Sequence, residues 1–584
     1  MNEKRTIFFR GLRIIRGYVA THPLPFTLAV IGAAIYAAAT VASTVVLGRI
    51  TDQVVTPAFG DEGVATHTVV LGVVAILAVG LIRAGGIVMR RYFAGMTSFR
   101  MARTLRTRVV SRYQELPLAY HQSHPTGELL AHAESDVEAA TEVINPLPYS
   151  TAVVLLILFA TVSLVVTDPF LAIIGLAVLP GLAFLNRVYT RKVEGPATRA
   201  QEKVGEVAAV AHESLDGALV VKTLGRERAE VERLAAPTRD LRDERIEMGR
   251  YRAGFEPFFD ALPNFGIVVL LAVGSWRIST GAITTGTLVQ FISLFLLLAF
   301  PMRLIGFVLS DIPRAVVGMD RLVGVFEEPV TLPAAAEALT LPPGPLGVSV
   351  RSVSYGFGDD RVLDEVSFEV APNESIAIVG PTGSGKSTLA QLLVRLADPE
   401  FGSIRVGGVD LRHMDAEQLR ASVTVVFQES FLFATTIREN ITLGLDLPEE
   451  ELHRISRLAR VHGFVSELPE GYDTVVGERG VTLSGGQRQR IALPRALARR
   501  PRVLILDDAT SAVDPTIEAG ILQSLVHELD TTLVVVAYRV STIAMADRVL
   551  WLEDGRIEAS GTHAELLSHP RYESMVRAYE RGAA

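Results

Sequence analysis

The chain has 584 residues, and 49% of them are apolar, a share that favours a membrane protein over a soluble one. Its 56 basic and 64 acidic residues give a formal net charge of −8, which argues against a nucleic-acid partner because no basic excess is present. The sequence contains no cysteine, so disulfides and thiolate metal sites are excluded.

Apolar runs mark the predicted membrane-crossing segments in the first half of the chain. The basic N-terminal segment has no cleavage site after it, so we expect a cytoplasmic anchor ahead of a retained helix. Residues 24–47 carry no charge and are long enough to cross a bilayer at a tilt. Arginine is concentrated in the N-terminal segment and in two long connections, so the positive-inside rule predicts that both termini are cytoplasmic. Five further runs bring the predicted transmembrane helices to six: residues 69–89, 147–166, 170–186, 261–276 and 285–302.

The two long connections, residues 90–145 and 187–260, are charged and carry apolar residues at helical spacing. Helical hairpins of this length would extend the membrane helices tens of ångströms into the cytosol, at about 1.5 Å per residue. Ionisable residues within or at the ends of the spans are candidates for functional contacts, and an interfacial, solvent-reaching position is the alternative. These residues are Arg83, Glu256, Asp260 and Arg303.

A stretch rich in proline and alanine, residues 326–347, is the predicted linker between a membrane domain at 1–325 and a second domain at 348–584. In the second domain short β-branched runs alternate with amphipathic stretches, which predicts an α/β fold with a largely parallel sheet. One run, residues 375–379, leads directly into GPTGSGKST, which fits the phosphate-loop pattern G-x-x-x-x-G-K-[ST]. The loop consists of Gly380, Pro381, Thr382, Gly383, Ser384, Gly385, Lys386, Ser387 and Thr388.

The phosphate loop predicts a nucleotide site with magnesium. Its glycines let backbone N–H groups and the following helix N-terminus converge on the α- and β-phosphates. Lys386 is expected to reach the β- and γ-phosphates, and the Ser387 hydroxyl is expected to bind the magnesium ion. Because a strand precedes the loop and an amphipathic helix follows it, a chance glycine-rich turn is a poor alternative.

A second motif, LSGGQ, precedes a helical run, and the strand at 503–506 then ends in Asp507, whose carboxylate suits magnesium. The motif consists of Leu483, Ser484, Gly485, Gly486 and Gln487. With these motifs, the chain resembles the ATP-binding-cassette family over nearly its entire length. The resemblance implies a polytopic α-helical membrane domain with six transmembrane helices fused to an α/β ATPase domain, as in exporter-type half-transporters. It also implies two ATP molecules between paired domains, each held by one domain's phosphate loop and the other's LSGGQ.

Further residues receive roles from this resemblance alone. Gln428 resembles the glutamine that senses magnesium and the membrane domain, which places it among the catalytic and metal-binding residues. Phe357 resembles the aromatic residue that stacks on adenine, with Tyr355 a weaker candidate and a core position the alternative for both rings. Other matching segments are the exporter-specific loop at 476–480, the D-loop at 511–514, and exporter-type cytoplasmic segments at 116–118, 126–129, 136, 221–222 and 226–227.

Two positions depart from the family pattern. Asp508 stands where the family usually has the glutamate that polarises the attacking water, and its side chain is one methylene shorter. Tyr538 stands at the position of the switch histidine, and a tyrosine cannot become an imidazolium. Beside an intact LSGGQ, these changes favour one subunit of a heterodimer, in which this chain holds ATP at a degenerate site and completes the partner's active site. A slowly hydrolysing homodimer is the alternative.

The residues do not name the cargo, which is expected to be a small molecule, a peptide or a lipid. Export is the expected direction, although some exporter-shaped pairs import siderophores, and the six spans disfavour a soluble cassette protein that acts on DNA or in translation. We expect a multi-pass protein of the plasma or inner membrane, with the nucleotide-binding domain in the cytoplasm. Pro494 falls inside the helix predicted after LSGGQ, where an interior proline generally costs about 3 kcal/mol. Two alternatives remain for this position: a kink in the helix, or a substitution that the helix tolerates.

Overall fold

The computed structural model describes residues 2–59, 64–299, 301–330, 332, 339–358, 360–477, 480 and 482–583. The chain divides into two compact units. One comprises Met1–Gln114 and Thr126–Glu328, and the other comprises Glu115–Pro125 and Pro329–Ala584. The predicted fold class is confirmed, because a helical membrane unit is followed by an α/β unit.

Helices form the first unit, and among its described residues five helical stretches are long and apolar enough to cross a membrane. The first five predicted spans lie inside these stretches, and the sixth coincides with the shorter apolar stretch Thr285–Leu297. Residue 300, within the sixth predicted span, lies outside the described residues. The helices are Asn2–Thr21, Pro23–Ile50, Thr56–Ala58, Thr66–Glu115, Thr126–Ala131, Val137–Glu142, Leu147–Thr167, Pro169–Asp216, Ala218–Thr223, Glu227–Ser279, Thr285–Ala299 and Pro301–Glu327, with π-helical turns at Thr51–Val55 and His132–Asp136.

Glycines allow the membrane helices to approach each other closely. A Cβ atom added to Gly32 would lie 2.6 Å from the backbone nitrogen of Arg90, and one added to Gly286 would lie 2.0 Å from the Gly48 oxygen. Neither distance leaves room for a side chain, so both crossings need glycine. Close backbone contact of this kind supplies the dispersion energy that holds helices together in lipid, where apolar burial gives no driving force.

The second long connection forms the expected helical hairpin. Its two arms are Pro169–Asp216 and Glu227–Ser279, and the short helix Ala218–Thr223 lies between them. An ion pair joins the arms, with Arg199 Nε 2.9 Å from Glu244 Oε1. Exposed pairs of this type generally contribute less than about 1 kcal/mol, so side-chain packing along the arms must supply most of the stability.

The first long connection differs from a hairpin with two unbroken arms. Its outgoing arm is continuous, but the returning chain is divided into Leu118–Ser123, Thr126–Ala131 and Val137–Glu142. Pro117 and Pro125 stand immediately before the first two of these helices. A proline lacks the N–H group that would continue a preceding helix and is tolerated where a new helix begins, which explains both breaks.

The second unit contains two sheets in its described residues. The strands are β1 (Val348–Phe357), β2 (Asp360–Val370), β3 (Ser375–Val379), β4 (Phe401–Val406), β5 (Val409–Asp410), β6 (Val423–Val426), β7 (Val503–Asp507), β8 (Thr532–Val536), β9 (Arg548–Glu553) and β10 (Arg556–Gly561). The four-stranded antiparallel sheet has the order β2-β1-β4-β5. The six-stranded sheet has the order β10-β9-β3-β8-β7-β6, in which β9, β3, β8, β7 and β6 are parallel.

Strand β3 is buried on both faces, which explains its continuous apolar sequence. Ile376 and Ile378 pack into one hydrophobic cluster, whereas Ala377 and Val379 pack into a second cluster on the opposite face. The central sheet is therefore a rigid support for the loops that follow its strands. Helices surround it at Lys386–Leu393, Ala416–Ser422, Ile437–Thr442, Glu449–Leu458, His462–Ser466, Gly485–Leu497, Pro515–Glu528, Val540–Ala544, His563–Leu566 and Pro570–Ala583, with 3-10 turns at Leu411–His413 and Gly471–Asp473.

Candidate nucleotide-binding site

Four neighbouring parallel strands bring the phosphate loop, Gln428, Asp507 and Tyr538 to one edge of the six-stranded sheet. β3 leads into the phosphate loop, β7 ends at Asp507, and Gln428 and Tyr538 follow β6 and β8 by two residues. Because the carboxyl ends of parallel strands meet at one edge, the loops after them line a common crevice. Residues from four separate parts of the sequence are thereby brought together.

Glycines allow the phosphate loop to turn. Gly383 and Gly385 have φ angles of +86° and +98°, in the left-handed region that residues with a side chain rarely adopt. A Cβ atom at Gly385 would also lie 2.6 Å from Leu363 Cδ2. Such a loop can turn consecutive N–H groups toward a common centre, and the helix Lys386–Leu393 begins directly after it. The backbone conformation is therefore the one expected of a phosphate-binding loop.

Lys386 provides the positive charge of the loop. Its side chain is 3% exposed, and Nζ donates to Gly380 O at 2.8 Å, Pro381 O at 2.6 Å and Ser384 Oγ at 3.2 Å. Burial lowers the pKa of Lys386 to about 8, against the smaller opposing effect of the two aspartates after β7. In the described part of the chain no carboxylate hydrogen-bonds this ammonium, so a phosphate group fits the cradle.

Ser387 and Asp507 fit a magnesium ion. Ser387 Oγ donates to Asp507 Oδ1 at 3.0 Å, and burial at the end of β7 raises the pKa of the Asp507 carboxyl group. A nearby cation would favour the ionised carboxylate, and magnesium prefers hydroxyl and carboxylate oxygens. When bound, the ion would neutralise phosphate charge as it develops in phosphoryl transfer.

A hydrogen bond joins the Gln428 and Asp508 side chains, with Gln428 Nε2 donating to Asp508 Oδ2 at 2.9 Å. Gln489 Nε2 donates to Gln428 O at 3.0 Å and to Ser511 Oγ at 2.9 Å, so the loops after β6 and β7 are tied together. Burial, and next the charge of neighbouring Asp507, raises the pKa of Asp508 to about 6. Asp508 has a φ of +50°, a conformation that aspartate tolerates better than most residues.

LSGGQ caps the helix Gly485–Leu497. Ser484 Oγ accepts a hydrogen bond from Gln487 N at 3.2 Å, and Gln487 Oε1 accepts one from Ser484 N at 2.9 Å. A Cβ atom at Gly486 would lie 2.6 Å from Ala512 O, so the motif packs closely on the D-loop. The reciprocal cap fixes the geometry of the motif.

The helix that contains Pro494 is continuous, so the proline does not break it. The helix runs through this buried residue to Leu497, and Ala498 N donates to Pro494 O at 2.8 Å. The substitution is tolerated three residues before the helix ends. Glu478, Arg479 and Val481, which include part of the predicted exporter-specific loop, lie outside the described residues.

Family comparisons agree with this geometry. The family model described as the ABC transporter transmembrane region matches residues 26–302, and the one described as ABC transporter matches residues 363–511. YknU of Bacillus subtilis, named as an ABC transporter ATP-binding protein, is 31% identical over 92% of this chain and 91% of its own length. The chain belongs to the ABC transporter family.

Other members of the ABC transporter family match over different shares of their length. An ATP-dependent lipid A-core flippase of Chromohalobacter salexigens is 33% identical over 95% of both proteins. A multidrug efflux ATP-binding/permease protein of Mycobacterium tuberculosis is 33% identical over 96% of this chain, which spans only 47% of that relative. The solved structure of a bacterial Atm1-family ABC exporter with ATP bound matches 95% of this chain and 98% of its own, with a TM-score of 0.76 and 28% identity.

The second departure from the ABC transporter pattern, Tyr538, contacts the phosphate-loop lysine. Lys386 Nζ lies 4.8 Å from the centroid of the Tyr538 ring, which is a cation–π contact. Burial, and next the negative charge of Asp508, raises the pKa of Tyr538 to about 12, so the phenol stays neutral. This position therefore supplies a π face and a hydroxyl group in place of an ionisable imidazole.

The two candidate adenine-stacking rings lie side by side. Phe357, at the end of β1, is 48% exposed, and its ring meets that of Tyr355 edge to face at a centroid distance of 5.3 Å. Tyr355 packs against the hydrophobic cluster of the antiparallel sheet. An exposed ring has a free face for a nucleobase, so the geometry favours Phe357 as the stacking residue.

Sequence patterns do not single out two further contacts of this region. Arg539 donates to Ser511 O at 2.9 Å and to Val513 O at 2.8 Å, and thereby fixes the D-loop. Tyr579, on the last described helix, donates its hydroxyl to Gly380 O at 2.5 Å. Both contacts depend on how distant segments fold together. For Tyr579 the sequence signal is limited to an aromatic residue on an amphipathic helix.

The candidate ionisable residues of the membrane unit do not form one cluster in the described residues. The Arg83 guanidinium lies 5.8 Å from the centroid of the Tyr36 ring. Glu256 and Asp260 lie on the exposed face of their helix, and the side chain of Arg303 lies outside the described residues. The Arg83 side chain therefore packs against a neighbouring helix, whereas the two acidic side chains are exposed on theirs.

Proposed function

We propose that this chain is one half of an ATP-driven exporter and that it pairs with a second, different half-transporter. The proposal places the membrane domain at residues 1–325, a linker at 326–347 and the nucleotide-binding domain at 348–584. It is supported by a helical membrane unit joined in one chain to a phosphate loop, in which Lys386 bonds to the loop carbonyl of Gly380 and Ser387 bonds to Asp507. The cargo is a small molecule, a peptide or a lipid, in keeping with relatives named for multidrug efflux and lipid A-core flipping.

Different residues of this chain would bind the phosphates of ATP, its adenine and the magnesium ion. Lys386 and the loop N–H groups hold the phosphates, Ser387 and Asp507 hold magnesium, and Phe357 stacks on adenine. Phosphoryl transfer to water depends mainly on positioning and charge stabilisation. ATP binding draws two cassettes together, and LSGGQ of this chain completes the phosphate site of its partner.

The site on this chain's own phosphate loop is proposed to retain ATP and to hydrolyse it slowly. The carrying observation is that the groups for binding are in place, while Asp508 has a shortened side chain that is already bonded to Gln428. Tyr538 also lacks the ionisable ring that would face the γ-phosphate. ATP affinity is kept while the rate of hydrolysis falls when the contacts to bound ATP remain and the contacts to the transition state are lost.

The proposed location is the plasma or inner membrane, with both termini and the cassette in the cytoplasm. Arginine-rich long connections support this orientation, since basic residues favour the cytoplasmic side. Single cysteines can be introduced at residues 55 and 280, which are predicted to face the outside, and at residues 121 and 222, which are predicted to face the cytoplasm. A membrane-impermeant reagent added to intact cells is expected to label positions 55 and 280. Labelling of 121 and 222 by a membrane-impermeant reagent would contradict the orientation.

The decisive experiment compares this chain purified alone with the same chain co-purified with its partner. We expect poor ATP hydrolysis by the chain alone and robust hydrolysis by a one-to-one complex. A homodimer with the activity of the complex would overturn the proposal in favour of a homodimeric transporter. Flux measured in oriented vesicles tests the direction, and ATP-dependent uptake into the cytoplasmic side would identify an importer.

A further inference from the structure

The last described helix, Pro570–Ala583, is fixed to the core of the nucleotide-binding unit. Tyr572 and Val576 are buried on its inner face, and the Tyr572 ring lies 6.0 Å from that of Trp551. The Tyr572 hydroxyl is also 2.9 Å from His563 Nδ1. The helix therefore has a defined position against the sheet that carries the phosphate loop.

One further turn along this helix, Tyr579 reaches the first residue of the phosphate loop. Its hydroxyl donates to Gly380 O at 2.5 Å, the same carbonyl that accepts from Lys386 Nζ at 2.8 Å. The Tyr579 ring meets that of Tyr538 at a centroid distance of 5.7 Å, and Lys386 lies over the other ring at 4.8 Å. Tyr579, Gly380, Lys386 and Tyr538 thus form a closed ring of contacts.

The carbonyl of Gly380 has little freedom to find another donor. A Cβ atom at Gly380 would lie 1.9 Å from Leu552 O on β9, so the start of the loop is packed tightly on the neighbouring strand. To contact a nucleotide phosphate, Lys386 must give up hydrogen bonds to the loop carbonyls. A buried carbonyl that loses its donor costs free energy, and the Tyr579 hydroxyl would prevent that loss at Gly380.

We propose that Tyr579 is a positioning residue for ATP binding, which keeps Gly380 bonded when Lys386 turns to the phosphates and holds the Tyr538 ring beside the lysine. It acts through Gly380 and Tyr538 and does not touch the nucleotide. The inference rests on the proposed function, because it concerns the ATP site of this same chain. These contacts make the last described helix part of the support of the phosphate loop.

The test uses the full-length chain in lipid nanodiscs and measures the Kd for ATP with magnesium by calorimetric titration. Tyr579→Phe removes only the hydroxyl, and we expect ATP to bind about fivefold to tenfold more weakly, the usual effect of one hydrogen bond. Tyr572→Phe is the matched control, because it removes the same group from the same helix at a bond to His563. The control is expected to bind ATP like the unaltered chain.

A purely structural role predicts a different result. If Tyr579 only anchors the helix, Tyr579→Phe and Tyr572→Phe would lower the melting temperature and leave the Kd unchanged, which would overturn the inference. A spectroscopic readout separates the two roles further: 3-fluorotyrosine at position 579 should change its 19F shift when ATP binds, and at 572 it should not. Failure of the unaltered chain to bind ATP would refute the proposed function itself.

Discussion

Restoring the family's usual side chains at positions 508 and 538 should convert a site that retains ATP into one that hydrolyses it. In Asp508→Glu the added methylene moves the carboxylate about 1 Å further into the crevice, and a misplacement of that size costs about a hundredfold in rate. A hundredfold corresponds to about 2.7 kcal/mol of activation free energy. We therefore expect single-turnover hydrolysis at this site to rise about a hundredfold in Asp508→Glu with Tyr538→His, with little change in ATP affinity.

The backbone adds a measurable cost to this change. Residue 508 has a φ of +50°, and left-handed backbone generally costs about 1 kcal/mol for a residue less tolerant of it than aspartate. We expect the variant cassette to melt a few degrees lower, since about 1 kcal/mol shifts the melting temperature by about 2–4 °C in a domain of this size. Asp508→Asn keeps a side chain suited to this backbone and serves as the control without a base.

The assay is hydrolysis of radiolabelled ATP trapped in the assembled complex, followed over one turnover. In the unaltered complex one nucleotide should be hydrolysed quickly and the other slowly, and Asp508→Asn should change the fast phase little. Two nucleotides hydrolysed at the same rate in the unaltered complex would refute the reasoning. Asp508 would then be a competent base despite its shorter side chain.

Three further predictions test LSGGQ, the adenine contact and the proline. Gly485→Ala should fold, since its Cβ would lie 3.5 Å from the Ala512 side chain, but it should lower the ATPase rate of the complex at least tenfold. Gly486→Ala should instead lower the melting temperature, because its Cβ would lie 2.6 Å from Ala512 O. Full activity in Gly485→Ala would contradict the role of LSGGQ. Phe357→Ala should weaken ATP binding about tenfold in a calorimetric titration, the usual effect of losing a base stack, without changing the melting temperature. Pro494→Ala should raise the free energy of unfolding by about 1 kcal/mol in urea titration, because removing an interior proline gains about 3 kcal/mol and the lost buried methylenes cost about 2 kcal/mol. Destabilisation instead would mean that packing of the proline ring outweighs the missing hydrogen bond.

Local sequence patterns predicted much of the cassette. The strand at 375–379 has the predicted limits, because it is a short apolar run buried on both faces of the sheet. The phosphate loop and LSGGQ were recognisable because backbone geometry dictates glycine at fixed spacing. Asp507 could be assigned because a strand end places it beside the loop.

Contacts between distant segments could not be predicted from local patterns. Tyr579 reaches Gly380 across 199 positions of the chain, and Gln489 joins Gln428 across 61. Neither contact leaves a periodic signal, because it depends on the way helices and loops pack around the finished sheet. In the membrane unit, helical periodicity gave the arms of the long connections, but the breaks before Leu118 and Thr126 follow from prolines whose effect depends on their exact place.

The length of the hairpin arms determines how far the end of an arm moves when its helix tilts in the membrane. Pro169–Asp216 has 48 residues and is therefore about 72 Å long, which leaves about 40 Å beyond a hydrocarbon core of about 30 Å. A tilt of about 5° in the membrane then moves the far end of the arm by about 3.5 Å, roughly the width of one side-chain contact. Pro180 and Pro196 lie inside this helix, where missing hydrogen bonds make bending easier. Pro196→Ala would restore a backbone N–H donor, so it should stiffen the arm and transmit a larger share of each tilt to its far end.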